Sequence, residues 1–542
     1  MQNAKLLDCT LRDGAYIIDK KFGDTTIKGI ISGLIKANLD LIEIGFLQDE
    51  GFGEGKTVYK NAYEAEKFIP KYKKDTLFTV LADYSRYSIK NLDNYTGRSF
   101  DAVRACFFKH ERYDAIDFFK TVKEKGYKLF IQPVDVLGYS DTEMIELINI
   151  INEIEPYCFS IVDTFGSMYE EDLQRVYYLI DHNLISECRI GFHSHNNLQM
   201  SNALTQLFLK MSYGKRNVVV DATVAGMGRG AGNTPTELIA QYMVNKLGYN
   251  YEIDSLLDVI DNYVKDIRAK ATWGYDTNMF LAGTFSAHVN NISYLKNKNS
   301  IKSKDIRYIL NKIGSENRKR YHYDLLEKTY YDYMKSNIDD SSVILKLKNI
   351  FSNKAVVLLA PGHSAISEHE KIKEFVDLND ALVISINFLH SEIKSDYLYI
   401  SNLKRYNDFL NMSNYEDIKK LKKIITSNVK INSNDSNENI ISISRLLKCG
   451  WENMDNSAIL LLRLLNILGV KKIGIAGLDG YDYSRTYSNN YVNEEMEIYI
   501  SDESANIINK EIADMLRDFS INKNKDLQLE FITSSRFKSY IE

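Results

Sequence analysis

A chain of 542 residues is longer than one ordinary hydrophobic core organises, so at least two domains are expected. An apolar share of 44% and a charged share of 26% are those of a globular protein and exclude a disordered one. The net charge of −5 is spread along the chain, which excludes a nucleic-acid footprint; pairs such as Lys422-Lys423 and Lys471-Lys472 read as solvated turns or helix ends.

The N-terminus, MQNAKLLDCTLRDG, enters a strand-like run within a few residues, leaving no room for a secretory signal. No stretch approaches the roughly 20 apolar residues of a membrane span. Five scattered cysteines (Cys9, Cys106, Cys158, Cys188, Cys449), never in a CxxC pair, argue against a disulfide framework. A cytoplasmic protein without a membrane span is the expectation.

From residue 4 to about 240, short apolar runs alternate with longer amphipathic ones. Eight runs read as strands: Lys5 to Cys9, Leu39 to Gly45, Leu77 to Ala82, Ala102 to Phe107, Lys128 to Pro133, Phe159 to Asp163, Arg189 to His193 and Val218 to Thr223. Eight consecutive βα units predict a closed α/β barrel, the (β/α)8 or TIM architecture, with its chemistry at the C-terminal ends of the strands.

Three motifs fall at that end. Arg12 and Asp13 follow strand 1; strand 7 ends in His193-Ser194-His195, whose alternate positions let both imidazoles converge; strand 8 runs into Ala225-Gly226-Met227-Gly228-Arg229-Gly230-Ala231-Gly232-Asn233. Two neutral imidazoles and one carboxylate with open positions suit a catalytic first-row cation, and oxygen-rich surroundings favour Mn2+ or Mg2+, with Zn2+ or Co2+ as alternatives. Thr234, Pro235 and Glu237 read as the N-cap, N1 and N3 of the next helix, a capping box.

DCTLRDGAY, GFHSHNN and AGMGRGAGNTPTE together resemble the metal-dependent lyase and synthase superfamily of 4-hydroxy-2-oxovalerate aldolase, HMG-CoA lyase, isopropylmalate synthase and homocitrate synthase, over roughly residues 4 to 290. The resemblance implies that Asp13, His193 and His195 bind the metal, with Asn233 as a ligand or near neighbour, and that Arg12 stabilises an enolate oxygen. The aldolase branch has a His where this chain has Tyr16, so the proton shuttle stays open among Tyr16, His288, Glu43 and Asp163, each with a structural role as the alternative. Glu43, Asp163, Thr223 and Gly230, at strand ends and in the glycine loop, are candidates for substrate contacts, their alternative being hydrogen bonding within the barrel.

Residues 291–345 read as a helical extension and linker after a barrel of residues 1–290, and residues 346–542 as a second, smaller α/β domain. There LLAPGHSA, SINF and LGVKKIGIAGLDGYDYS look similar to a Rossmann-like family that includes bacterial sialyltransferases and a pterin-pyrophosphokinase-like group. That implies nucleotide or nucleotide-sugar binding through Gly362, Ser364, Asn387 and Asp479. The Asn-, Ser- and Lys-rich stretch 425–440 reads as a surface loop.

The function expected is a divalent-metal-dependent carbon–carbon lyase of the aldolase type acting on a small-molecule 2-oxo acid through a metal-bound enolate. A Claisen-type synthase using acetyl-CoA, or a bifunctional protein that modifies nucleotide-sugars or transfers glycosyl groups through its C-terminal half, is the alternative. A homo-oligomer is compatible with each.

Overall fold

A computed structural model describes residues 3–541 apart from 299–300, 335–337, 411–414, 431, 449, 452–453, 455 and 482–501. The chain divides into two compact units, one of Met1–Ile292 with Ser315–Tyr321 and the other of Ser293–Gly314 with His322–Glu542.

The first unit contains β1 (Ala4–Asp8), β2 (Leu41–Leu47), β3 (Val58–Tyr59), β4 (Leu77–Asp83), β5 (Ala102–Phe107), β6 (Lys128–Pro133), β7 (Cys158–Asp163), β8 (Arg189–Ser194) and β9 (Val218–Ala222). Their order is β1-β9-β8-β7-β6-β5-β4-β2-β3, every pairing is parallel, and β1 also pairs with β2. That last pairing closes eight strands into a barrel and leaves the two-residue β3 as an outrigger on β2. Six of the seven connections between barrel strands carry an α-helix; β4 to β5 crosses with only a 3-10 turn, Ile89–Asn91, because NLDNYTGRS offers no apolar stripe.

Local chemistry sets the helix ends. Ser140 begins the helix Asp141–Ile154 by accepting from the Glu143 amide while the Glu143 carboxylate accepts from the Ser140 amide. The expected box at Thr234 is a correction: that helix runs Thr236–Leu247, Thr234 Oγ1 lies 3.1 Å from Thr205 Oγ1, and the Glu237 carboxylate accepts from the Ala225 amide, tying the helix to the glycine loop.

Strand alternation sorts the core. Outward residues such as Ile42, Val80, Val103 and Ala105 pack against the helices. Inward, Leu7, Leu41, Ala102, Phe130, Cys158 and Val219 form an apolar plug. Two residues further along their strands, Glu43, Arg104, Gln132, Ser160 and Asp221 make a polar layer, and the functional groups lie above it.

Residues 315–321 lie with the barrel although their flanks belong to the second unit. Arg318 Nε donates to the Phe285 carbonyl, Asn291 Nδ2 donates to the carbonyls of Arg318 and Arg320, and the His288 amide donates to Arg318.

The second unit has seven parallel strands: β10 (Ala355–Leu359), β11 (Leu382–Ile386), β12 (Tyr397–Ile400), β13 (Lys422–Thr426), β14 (Glu438–Ile441), β15 (Lys472–Ala476) and β16 (Gln528–Phe531). The order β14-β13-β12-β11-β10-β15-β16 reverses direction between β10 and β15. Strand β14 corrects the reading of 425–440 as loop throughout: its apolar residues Ile440 and Ile441 pair it with β13 at the sheet edge. No helix among the described residues is long and apolar enough to cross a membrane.

Candidate active site

Strand β1 ends in a turn over residues 10–13, in which the Arg12 and Asp13 amides both donate to the Cys9 carbonyl. This turn puts Arg12 and Asp13, both buried, at the C-terminal mouth of the barrel. Beyond β8 the chain stays extended long enough for His195 to form a backbone bridge with Asn233. The Asn196 amide donates to the Gly232 carbonyl, so the glycine loop is zipped onto the histidine segment. Gly232 has φ +83°, and a Cβ there would stand 2.0 Å from the Gly226 carbonyl oxygen, so only glycine folds the loop back this tightly.

The result is a cluster. One ligand atom each from Asp13, His193 and His195 lies within 4.8 Å of the others. Asp13 Oδ2 stands 3.6 Å from His193 Nε2 and 3.8 Å from His195 Nδ1, too far for hydrogen bonds but the spacing expected of donors around one shared cation. Both Asp13 Oδ2 and the nearby loop's Asn233 Oδ1 are buried without a hydrogen-bond partner, and Asn233 Nδ2 is committed to the Met227 carbonyl. Buried orphan oxygens are costly unless something fills them, so these donors fit a hard or borderline divalent cation.

Charge bookkeeping agrees. Arg12 Nε donates to Glu43 Oε2 (2.7 Å) and its Nη1 to Asp13 Oδ1 (3.0 Å). Arg104, on β5, joins Glu43 (2.9 Å) to Asp221, and Asp221 Oδ2 lies 3.0 Å from His193 Nδ1. Three carboxylates and two guanidinium groups, all buried, leave one uncompensated negative charge when the imidazoles are neutral.

The titration directions follow from this wiring. Burial works to raise the Asp13 carboxyl, but Arg12 and the imidazoles outweigh it and hold Asp13 well below the usual carboxylate range. Burial also works to raise Asp221, and Arg104 and His193 overcome it. Burial, opposed by Asp13 but aided by His193, Arg229 and Arg12, brings His195 down to about 3, which keeps the lone pair of one ring nitrogen available. For His193, burial is overcome by Asp13 and Asp221, which raise it. The Asp221 contact assigns the His193 proton to Nδ1 and turns Nε2 toward Asp13, the arrangement of a carboxylate–imidazole–metal relay.

The cluster lines a cleft of about 230 Å3 together with Tyr16, Gln132, Arg229, His288 and Lys319. Tyr16 stacks edge-on against Phe46 and lies under the Arg229 guanidinium, 3.9 Å from ring centroid to carbon; burial raises its phenol. Burial and Arg229 bring His288 down to about 4. Its Nδ1 accepts from the Asn290 amide at 3.2 Å, which assigns the proton of the neutral ring to Nε2.

Arg12, Tyr16 and His288 thus share one cleft with Asp13, His193 and His195. The four residues expected at the substrate are outside its wall. Glu43 lies beneath Arg12, and Asp163 accepts from the Ser167 amide and Ser194 Oγ, with burial raising it to about 7. The Thr223 amide donates to the Thr234 carbonyl, and the Gly230 carbonyl accepts from Gly274. Sequence reasoning missed Arg104, Asp221, Gln132 and Lys319 and quoted Arg229 without assigning it a role. The available signal was a charged residue at an inward position of an otherwise apolar strand, as in AVRACF and VVVDA.

In the second unit, the expected nucleotide contacts are bonded within the protein. The Asp479 carboxylate accepts from the amide (2.8 Å) and hydroxyl of Ser364. A Cβ on Gly362 would stand 2.2 Å from the Gly477 carbonyl oxygen. Asn387 donates to Ser457 Oγ and accepts from the Ser401 amide.

Residues 3–262, the span of the barrel strands, match the family model described as HMGL-like. Over 249 residues the chain is 25% identical to oxaloacetate decarboxylase of Mycobacterium tuberculosis, covering 43% of this chain and 68% of the relative. Over 323 residues it is 24% identical to 4-hydroxy-2-oxovalerate aldolase of Pseudoalteromonas translucida, covering 56% and 88%. Among solved structures it is similar to hydroxymethylglutaryl-CoA lyase from Pseudomonas aeruginosa, at 17% identity and a TM-score of 0.39 over 49% of this chain and 98% of that one.

Proposed function

We propose that the barrel is a divalent-cation-dependent carbon–carbon lyase of the aldolase type that acts on a 2-oxo acid. The observation that carries this reading is the convergence of Asp13, His193 and His195 within 4.8 Å at a cleft that Arg12 also lines. The names of both relatives describe carbon–carbon cleavage of a 2-oxo acid.

Asp13, His193 and His195 would hold the cation, with Asn233 Oδ1 close by. When bound, the cation supplies Lewis-acid polarisation of the keto oxygen. Arg12 does what a fixed charge can do: with Nε and Nη1 committed to Glu43 and Asp13, its remaining donors meet the C2 oxygen as negative charge develops there. In the cleavage direction the C4 hydroxyl loses its proton, the C3–C4 bond breaks, and its electron pair moves into C3–C2 and onto the C2 oxygen. C3 then takes a proton, so none is gained or lost overall.

Tyr16 is our candidate for carrying that proton. Its raised phenol passes a proton on rather than remaining ionised. His288, with its hydrogen on Nε2, is suited to donate to the oxygen of the departing carbonyl fragment.

Two assays of the Mn2+-loaded full chain test the reading. Pyruvate in D2O should exchange its methyl protons, read by NMR, and 4-hydroxy-2-oxovalerate should yield pyruvate and acetaldehyde. Absence of both reactions refutes the proposal. Thiol release from acetyl-CoA with a 2-oxo acid would instead establish the Claisen synthase.

For the C-terminal sheet, nucleotide-sugar binding is supported by strand order alone: the reversal between β10 and β15 is where open parallel sheets take ligands. Calorimetry of the full chain with CMP and CMP-sugars tests it, and no heat with any of them counts against it.

A further inference from the structure

The cleft holds more than the ligating cluster. Besides Arg12 and Asp13, its wall carries three cationic side chains, Arg86, Arg229 and Lys319, against one carboxylate, Asp83. Two of the cations have local partners: Arg86 lies 3.6 Å from Asp83 and Lys319 lies 2.8 Å from Asp135. Arg229 has no carboxylate partner among the described residues, and its ordered contact is the face of Tyr16.

The loop beneath Arg229 is fixed from several sides. Its carbonyl accepts from the Gly232 amide, the Gly230 carbonyl accepts from Gly274, and the Ala231 amide donates to Asn197 Oδ1 at 3.0 Å. A planar guanidinium held in place and lacking a protein anion among the described residues is built to receive a carboxylate or a phosphate in bidentate fashion. It lines the same cleft as Arg12 and His288, with the Tyr16 ring 3.9 Å beneath it.

We propose that the carbonyl fragment which this site joins to, or releases from, the 2-oxo acid bears an anionic group of its own, a carboxylate or a phosphate, received by Arg229. This rests on the lyase reading and adds to it the class of the second substrate. Arg12 and the cation serve the 2-oxo acid, while Arg229 reads the far end of the other fragment. In the condensing direction the 2-oxo acid loses a C3 proton, C3 forms a bond to the aldehyde carbon, and the aldehyde oxygen gains the proton.

The test compares aldehydes with pyruvate as donor and Mn2+ present: succinic semialdehyde for the carboxylate, glyceraldehyde 3-phosphate for the phosphate and butanal as the neutral reference. The wild type should favour at least one anionic aldehyde over butanal by roughly tenfold or more in kcat/KM. In Arg229→Gln that ratio should fall by roughly 10- to 100-fold, and Arg229→Lys should recover part of it. Because the ratio is taken within each variant, a partly unfolded preparation does not mimic the effect.

A wild-type preference for butanal, or a ratio unchanged in Arg229→Gln, overturns the inference. Exchange of pyruvate methyl protons needs no aldehyde and separates the two levels. Exchange without anion preference removes this inference alone, and absence of exchange together with absence of cleavage removes the lyase reading and this inference with it.

Discussion

Replacing Asp221 by Asn tests whether the layer beneath the cluster acts on the cation. Asp221 lies outside the cleft wall, yet its Oδ2 is 3.0 Å from His193 Nδ1 and its carboxylate is paired with Arg104. Asparagine keeps an oxygen that accepts from Nδ1, so the ring stays oriented. It removes the charge that makes the imidazole a stronger donor and takes the buried set from one net negative charge to none. Losses of such outer carboxylates cost about 10- to 100-fold in metal affinity, or roughly 1.4 to 2.8 kcal/mol. Titration calorimetry with Mn2+ reads the dissociation constant, and far-UV dichroism with a urea midpoint shows that the variant is folded, Arg104 retaining Glu43 as its partner. An unchanged dissociation constant in a folded Asp221→Asn protein would refute the relay and leave His193 oriented by packing alone.

Other consequences separate binding from rate and from stability. Asp13→Ala and His195→Ala should lose both bound Mn2+ and turnover, whereas Arg12→Ala should retain the metal by elemental analysis and lose roughly 10²- to 10³-fold in kcat. Arg104→Met leaves Glu43 and Asp221 without their shared cation in the barrel interior and should destabilise the barrel by about 3–5 kcal/mol, seen as a lowered urea midpoint. Asp8 gives a pH signature: burial raises it from 3.8 to about 6 despite donation from Thr236 and Thr10. The folded state therefore holds this proton more tightly than the unfolded state. The stability it contributes is full below about pH 3.8 and is lost as pH rises through about 6, roughly 3 kcal/mol in all. Asp8→Asn, whose amide can satisfy both neighbours, should flatten that part of the pH–stability curve; a slope equal to the wild type's would count against the assignment.

The eight barrel strands are legible to within two residues because each is an apolar run between turn residues, and closure follows from their number. The rim motifs are legible for the same reason: a residue just past a parallel strand's end has one place to go. Depth is not legible. The expected second strand stopped at Gly45, which put Glu43 near the mouth; β2 continues to Leu47, so Glu43 sits one layer down, under Arg12 rather than beside a substrate. Arg104 and Asp221 escaped because a charged residue within AVRACF or VVVDA has no visible partner until the barrel closes and brings β2, β5 and β9 together around one axis. Lys319 is further still from sequence reasoning, since it reaches the cleft from a seven-residue segment whose neighbours fold with the other unit.

The order of layers explains why the rim can do chemistry that these residues could not do in water. The apolar plug of Leu7, Leu41, Phe130 and Val219 closes the barrel from below, so the Glu43–Arg104–Asp221 layer has no solvent beneath it to screen its charges. Each carboxylate is then held by a guanidinium and each guanidinium by two carboxylates, which fixes Arg12 and His193 from behind before any ligand arrives. Isolated, such a layer is poor evidence of stability, because desolvating five charges offsets much of what their pairing returns. Its value lies in aim: a rigid, slightly negative floor presents Asp13 Oδ2 and two imidazoles to a cation, in a cleft that Arg229 also lines. A substrate carrying negative charge at both ends is the complement of that arrangement.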